Sequence, residues 1–258
     1  MRTIIALMLL LAVPIAVSAD EAVKLKTREG VTVRVAIVAP SAPKGVAILF
    51  AGGAGKLRIK RDGTIKRGTN FLVRSRALFA VNGFVALVPD TSSDRKKGDG
   101  LRGFRDVIEY LEDLKALVAY ARKTYNLPIW LVGTSAGTIS VAHGAEKLKG
   151  ALRPDGLVFS ASITEDSSHG AHVLNFDIDD YTGPVLISHH KRDDCSVTPP
   201  DGVDDIKDKL TKASAVGVQL YDGGEAAGQE CKAKHYHGFN GIEDKVVGDM
   251  TKWMLAHQ

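Results

Sequence analysis

The chain has 258 residues, 45% of them hydrophobic, with 34 basic and 30 acidic side chains and two cysteines. That length buries one sizeable core and is short for two. The near-balanced charge gives no sign of a nucleic-acid partner, and the composition excludes a disordered or fibrous chain.

Residues 1–19 read as a secretory signal peptide. Arg2 supplies a positive start, Ile4 to Val17 is apolar, and Val17-Ser18-Ala19 offers small residues before Asp20. The apolar run is about 14 residues, too short for a comfortable membrane span. Its removal takes away Arg2 alone among the charged residues. The expected product is an exported, periplasmic or secreted protein without stable membrane insertion, folded as a single domain over residues 20–258.

Residues 23–38 alternate, with Val31, Val33, Val35 and Ile37 on one face and Gly30 as a break, which predicts a β-hairpin. Val46 to Phe50 reads as a strand buried on both faces. The glycine-rich Ala51-Gly52-Gly53-Ala54-Gly55 follows, then a basic stretch with Lys56, Arg58, Lys60, Arg61, Lys66 and Arg67. That stretch reads either as a solvated hairpin or as a basic rim favouring anionic substrates. Phe71 to Val81 has helical periodicity and ends at Asn82-Gly83. Phe84 to Val88 is a buried strand stopped by Pro89, and Asp90 to Gly103 is a polar loop. Phe104 to Tyr125 carries apolar residues at i, i+3, i+4 spacing and predicts a long amphipathic helix.

Pro128 to Val132 is a further apolar run and ends in Gly133-Thr134-Ser135-Ala136-Gly137, with a helix expected from Ala136 to Lys149. The order strand, G-x-S-x-G, helix is that of a nucleophile elbow, with a serine at the tip of a strained turn. Gly133 and Gly137 must be small because neighbouring backbone comes close. Later strands are expected at Leu157 to Ser160, Val185 to Ser188 and Val216 to Tyr221. Helices are expected at Asp201 to Ala213 and Ile242 to His257, with irregular chain at 161–183 and a loop from Gly223 to Tyr236. Strands alternating with helices predict an α/β fold with a mostly parallel, doubly wound sheet after an antiparallel N-terminal hairpin, and helices on both faces.

A serine nucleophile needs a base, and the base needs a carboxylate. The acid candidates are Asp193 and Asp194, which follow the strand beginning at Val185. The base candidates are His237 and His235, between the last strand and the last helix. The oxyanion hole needs two backbone N–H donors, one from Ala136 and one from the glycine loop, where Gly53 and Ala54 are the candidates.

Together these segments resemble the α/β-hydrolase superfamily over nearly all of the chain after residue 19. Phe50-Ala51-Gly52-Gly53, Asn70 to Arg76, the Gly133-Thr134-Ser135 elbow, His189-His190 through Asp193, and Tyr236-His237-Gly238-Phe239 look like a group of small exported hydrolases without a large cap domain. The resemblance implies a Ser135–His237–Asp193 triad, with Asp193 selected by the family's register of strand end to acid. It also places Ala51 where lipase-type loops carry histidine. Cap domains in this superfamily are inserted where this chain has only about 24 residues, between Ser160 and Val185, which implies a small lid and an open site.

If the triad assembles, the acid and base loops are neighbours, and Cys195 and Cys231 are placed to form a disulfide, as export favours. His169, His172, His189 and His190, with Asp177, Asp179 and Asp180, lack any recognised ligand spacing, so neither a metal nor a cofactor is expected. The expected activity is hydrolysis of a small-molecule ester or thioester through an acyl-enzyme. The alternatives are a peptidase or amidase of the same fold, and a binding protein on a hydrolase fold that has lost its chemistry.

Overall fold

A computed structural model describes residues 21–167 and 170–258. The expected signal peptide and His169 lie outside them. Eight strands form one sheet: β1 (Glu21–Arg28), β2 (Val31–Val38), β3 (Gly45–Phe50), β4 (Phe84–Pro89), β5 (Ile129–Ser135), β6 (Gly156–Ser162), β7 (Val185–His190) and β8 (Val216–Tyr221). Their order across the sheet is β1-β2-β4-β3-β5-β6-β7-β8. The β1–β2 and β2–β4 pairs are antiparallel, and every later pair is parallel. The N-terminal hairpin, the parallel sheet and the strand positions match the expectation from the sequence.

Both faces of the sheet are covered, so the central strands are apolar throughout rather than alternating with polar residues. In β3, Val46, Ile48 and Phe50 point into one core, while Ala47 and Leu49 point into the other. The first core is closed by α3 (Ile108–Tyr125), α4 (Gly137–Lys147) and α5 (Gly202–Lys209). The second is closed by α1 (Phe71–Arg74), α2 (Arg76–Val81) and α6 (Glu243–Ala256).

Two expected helices differ in detail. The periodic run Phe71 to Val81 is divided at Ser75, which leaves the helical path with φ −94° and ψ 4°. The helix expected from Phe104 begins at Ile108. Gly103 has φ 57°, which breaks the helical path, and Val107 is extended at φ −92°, ψ 159°. The pattern misled because Phe104 is buried in the core shared with α3, although its backbone lies in turns. α3 ends on Asn126 in the left-handed region, where Asn is tolerated, just before Pro128. Two strands are longer than expected. β6 reaches Ser162, and β7 reaches His190, so His189 and His190 belong to the strand rather than to the loop after it.

Candidate active site

Ser135 closes β5 with φ 52°, and α4 begins two residues later. The turn is tight enough that a Cβ on Gly137 would collide with the Phe50 carbonyl at the end of β3. Only glycine permits that approach, and it brings the end of β3 beside the serine. Thr138 Oγ1 donates to the Ser135 carbonyl at 2.6 Å and accepts from the Ile163 N–H at 3.3 Å, which ties the elbow to the chain leaving β6.

The loop Ala51–Gly55 leaves β3 directly against this turn. A Cβ on Gly52 would lie 2.9 Å from the Ser135 Cβ. The Gly55 N–H donates to the Gly52 carbonyl at 3.3 Å. In a trans peptide C=O and N–H point in opposite directions, so this bond aims the Gly53 N–H away from Gly55 and out of the loop. Gly53 is exposed, has φ 58°, and borders the same cleft as Ser135. The alternative donor, Ala54, uses its carbonyl to accept from the Leu101 N–H at 3.0 Å. Ala136 caps α4 with φ −56° and ψ −17°, so its N–H belongs to the unsatisfied set at a helix start.

The two aspartates and two histidines form two separate pairs. Asp193 Oδ2 is 2.9 Å from His237 Nδ1, and Asp194 Oδ1 is 3.1 Å from His235 Nδ1. Asp193 is buried, whereas the Asp194 side chain is 53% exposed, so the first pair is shielded from water and the second is not. Asp193 Oδ1 accepts from the Cys195 N–H at 3.1 Å, and Oδ2 accepts from Thr198 Oγ1 at 3.0 Å. With its proton given to Asp193, the Thr198 hydroxyl is left to accept from His237 Nδ1 at 3.1 Å. His189 Nε2 lies 3.1 Å from the Thr198 carbonyl and 3.5 Å from Asp193 Oδ2. Burial alone would raise the Asp193 pKa, but the bonds from His189 and His237 outweigh it and hold the carboxyl well below the usual carboxylate range. An ionised Asp193 fixes the proton of His237 on Nδ1, which leaves Nε2 with a lone pair.

Ser135 and His237 line one narrow cleft of about 50 Å³, together with Gly52, Gly53, Asn70 and Ala233. Cys195 and Cys231 are joined by a disulfide, which pins the acid loop to the exposed loop preceding His237. Of the other candidate histidines, His190 and His172 are taken up by neighbouring side chains. His190 stacks on Tyr236 with ring centroids 4.7 Å apart, and His172 takes part in a cap with Asn175. Among the described residues no group of three or more His, Cys, Asp or Glu side chains is arranged to hold a metal ion.

Thr198 and Arg105 carry no signal in the sequence that marks them, whereas His189 and Arg74 lie in segments singled out there without a role assigned to either. Thr198 and His189 hold the acid. Arg74 donates to the carbonyls of Thr69 and Gly238 at 2.8 and 2.7 Å and to Glu243 Oε1 at 2.8 Å, so α1 is anchored to the histidine loop and to α6. Arg105 is buried and donates to the carbonyls of Ala51 and Leu101 at 3.0 and 3.2 Å, behind the glycine loop. Desolvation lowers its guanidinium pKa to about 10.

No protein-family model and no curated sequence matches the chain. Solved structures do match its fold. The esterase Pf2001 of Pyrococcus furiosus superposes with a TM-score of 0.66 at 14% identity, covering 93% of each chain. Dienelactone hydrolase from Anabaena variabilis gives 0.63 at 14% identity, over 93% of this chain and 98% of its own. XC6422 from Xanthomonas campestris, described as an α/β serine hydrolase without lid, gives 0.55 at 19% identity over 92% of both chains. The chain therefore has the α/β-hydrolase fold, in the small form without a large cap.

Proposed function

We propose that this protein is a serine hydrolase that cleaves small carboxylic esters or thioesters through an acyl-enzyme. The observation that carries the reading is a serine at φ 52° on a strand–helix turn that shares one cleft with His237, itself paired with the buried Asp193 behind it. In this reading Ser135 Oγ attacks the substrate carbonyl carbon while His237 Nε2 takes its proton. The oxyanion is held by the Ala136 and Gly53 N–H groups. Collapse of the tetrahedral intermediate expels the alcohol or thiol, protonated by His237. Water then attacks the acyl-enzyme with His237 as base, and the acid leaves. Asp193 keeps the imidazole in the required tautomer and stabilises the imidazolium.

The matched structures named as esterases and hydrolases support an ester-type substrate, and the narrow cleft favours a short acyl group. The Cys195–Cys231 disulfide supports export to an oxidising compartment. No helix among the described residues is long and apolar enough to cross a membrane.

A fluorophosphonate probe tests the reading. Labelling of the wild type that disappears in Ser135→Ala, together with p-nitrophenyl acetate hydrolysis that collapses in a folded His237→Ala variant, is expected. A folded wild type that takes no label overturns it and favours a binding protein on a hydrolase fold.

A further inference from the structure

Residues 56–67 form an irregular hairpin that is separate from the serine cleft. Ile59 and Ile65 bridge antiparallel, Lys60 N–H donates to Thr64 O at 2.9 Å, and Arg67 N–H donates to Leu57 O at 3.0 Å. The hairpin is held by one carboxylate. Asp90, buried at the end of β4, accepts from the Leu57 N–H at 2.8 Å and the Ile59 N–H at 2.9 Å, one on each oxygen. It also accepts from the Thr91 N–H at 2.8 Å. Leu57 and Ile59 are thereby drawn into the core, and Arg58 between them is forced into the left-handed region at φ 57° with its side chain exposed. That backbone costs on the order of 1 kcal/mol for a non-glycine residue, and such strain collects at binding sites.

The consequence is a groove of about 430 Å³ whose walls carry Lys56, Arg58, Lys60, Lys66 and Lys96, with Asp90 as the single acid. Asp90 has both oxygens committed to backbone N–H groups, and its single charge is outnumbered by the five cations of the lining. Among the described residues no ion pair is made by Arg58, Lys60, Lys66 or Lys96. Elsewhere on this protein exposed cations pair with acids, as in Lys212–Asp180 and Lys245–Asp249. A concave site concentrates the field of its charges and raises the local concentration of counter-ions. Ile59 is the one large apolar side chain of the lining, and no aromatic ring is present to stack on a base or sugar.

We infer that this groove is a binding site for a compact soluble polyanion carrying two or more phosphate- or carboxylate-type groups. Four lysines and an arginine supply charge at several points rather than one bidentate clamp, which suits a chain of anionic groups better than a single one. The site does not depend on the hydrolase reading, since it shares no lining residue with the serine cleft.

The test is calorimetric titration of the full chain with inorganic tripolyphosphate at low salt, using wild type, Lys60→Glu/Lys66→Glu, and Lys24→Glu/Lys123→Glu as a control of equal charge change. The expected result is saturable one-to-one binding to wild type, weakened at least about tenfold by the groove pair and less than about twofold by the control pair, and weakening as salt is added. Absence of binding to wild type overturns the inference. So does an equal loss in both double variants, which would make the effect one of net charge. Binding of a single-stranded oligonucleotide or of phosphatidylglycerol vesicles without binding of tripolyphosphate also overturns it, in favour of a macromolecular surface. Ser135→Ala is expected to bind like wild type, so a failed esterase assay leaves this result standing.

Discussion

Arg74 donates a 2.7 Å hydrogen bond to the Gly238 carbonyl, one residue beyond His237, while Glu243 holds the same guanidinium from α6. The contact joins residues 164 positions apart and sets the height of the histidine loop over the cleft. Lysine reaches one of these acceptors but not all three, because its donors do not form a planar fork. Arg74→Ala is expected to lower kcat by roughly 10- to 100-fold through displacement of His237 and to cost about 1–3 kcal/mol of stability. Arg74→Lys should recover most of the stability and less of the rate. Urea unfolding and steady-state kinetics on both variants check this, and an unchanged kcat in Arg74→Ala would remove the residue from the positioning of His237.

Under the proposed triad, Asp193 would link catalysis to acid stability. Burial tends to raise its pKa, yet the bonds from His189 and His237 hold it below the ordinary value of 3.8. The unfolded chain therefore takes up this proton first as pH falls. The stabilisation is fully present above about pH 5 and is lost as the pH drops through the folded-state value. Asp193→Asn removes the titration, so its urea midpoint should fall less steeply than that of wild type between about pH 5 and pH 3. At neutral pH the same variant should lose about 10⁴-fold in kcat, because an amide no longer fixes the imidazole tautomer. Parallel stability profiles for the two proteins would sink the linkage argument.

The parts of the site that lie in one continuous stretch were legible in the sequence. The elbow is a strand, a turn and a helix in succession, and each leaves its own pattern around Ser135. Asp193 and Asp194 could not be separated by the residues alone, nor could His235 and His237, because neighbouring residues share the same chain context. The two aspartates differ in burial and the two histidines, both buried, differ in which carboxylate they face, and a β7 running to His190 rather than Ser188 is set by pairing with β8. Thr198 and Arg74 act through contacts between distant segments, and a loop threonine or a helix-end arginine has no periodicity to betray such a contact. Periodicity also misled at Phe104, where a buried side chain on non-helical backbone imitates the helix that follows it. Ile108, the first residue of α3, is 66% exposed despite its place in the apolar repeat.

The Cys195–Cys231 disulfide closes a loop between positions 36 apart, which contains β8 and the exposed chain leading to His237. Chain-entropy reasoning gives roughly 2–4 kcal/mol for a loop of this length. Cys195→Ala/Cys231→Ala, or wild type under reductant, should unfold at correspondingly lower denaturant. Residues 222–234 should also exchange amide protons faster, since they are exposed and lose their covalent tie. Mass analysis with and without reductant checks the bond itself. Two free thiols in protein isolated without reductant would overturn both the bond and the support it lends to export.

Arg105 poses a choice between two effects of similar size. Among the described residues its buried guanidinium has no carboxylate partner, and desolvation lowers its pKa to about 10, so removing the charge relieves a penalty. Removing it also strips the Ala51 carbonyl of its donor, at a cost of about 1–3 kcal/mol for a group left unpaired, while the Leu101 carbonyl keeps the Phe104 N–H. Arg105→Met, which keeps most of the volume, should therefore change stability by no more than about 2 kcal/mol in either direction. Its effect on turnover should be one-sided. The Ala51 carbonyl is the point at which the loop carrying Gly53 is held from behind. If Gly53 is the oxyanion donor proposed above, loss of that anchor should lower kcat by about 10- to 100-fold with little change in KM, because such an interaction strengthens only as the oxyanion forms. Kinetics and urea unfolding of the same preparation separate the two effects, and an unchanged kcat would reduce Arg105 to a filler of the core.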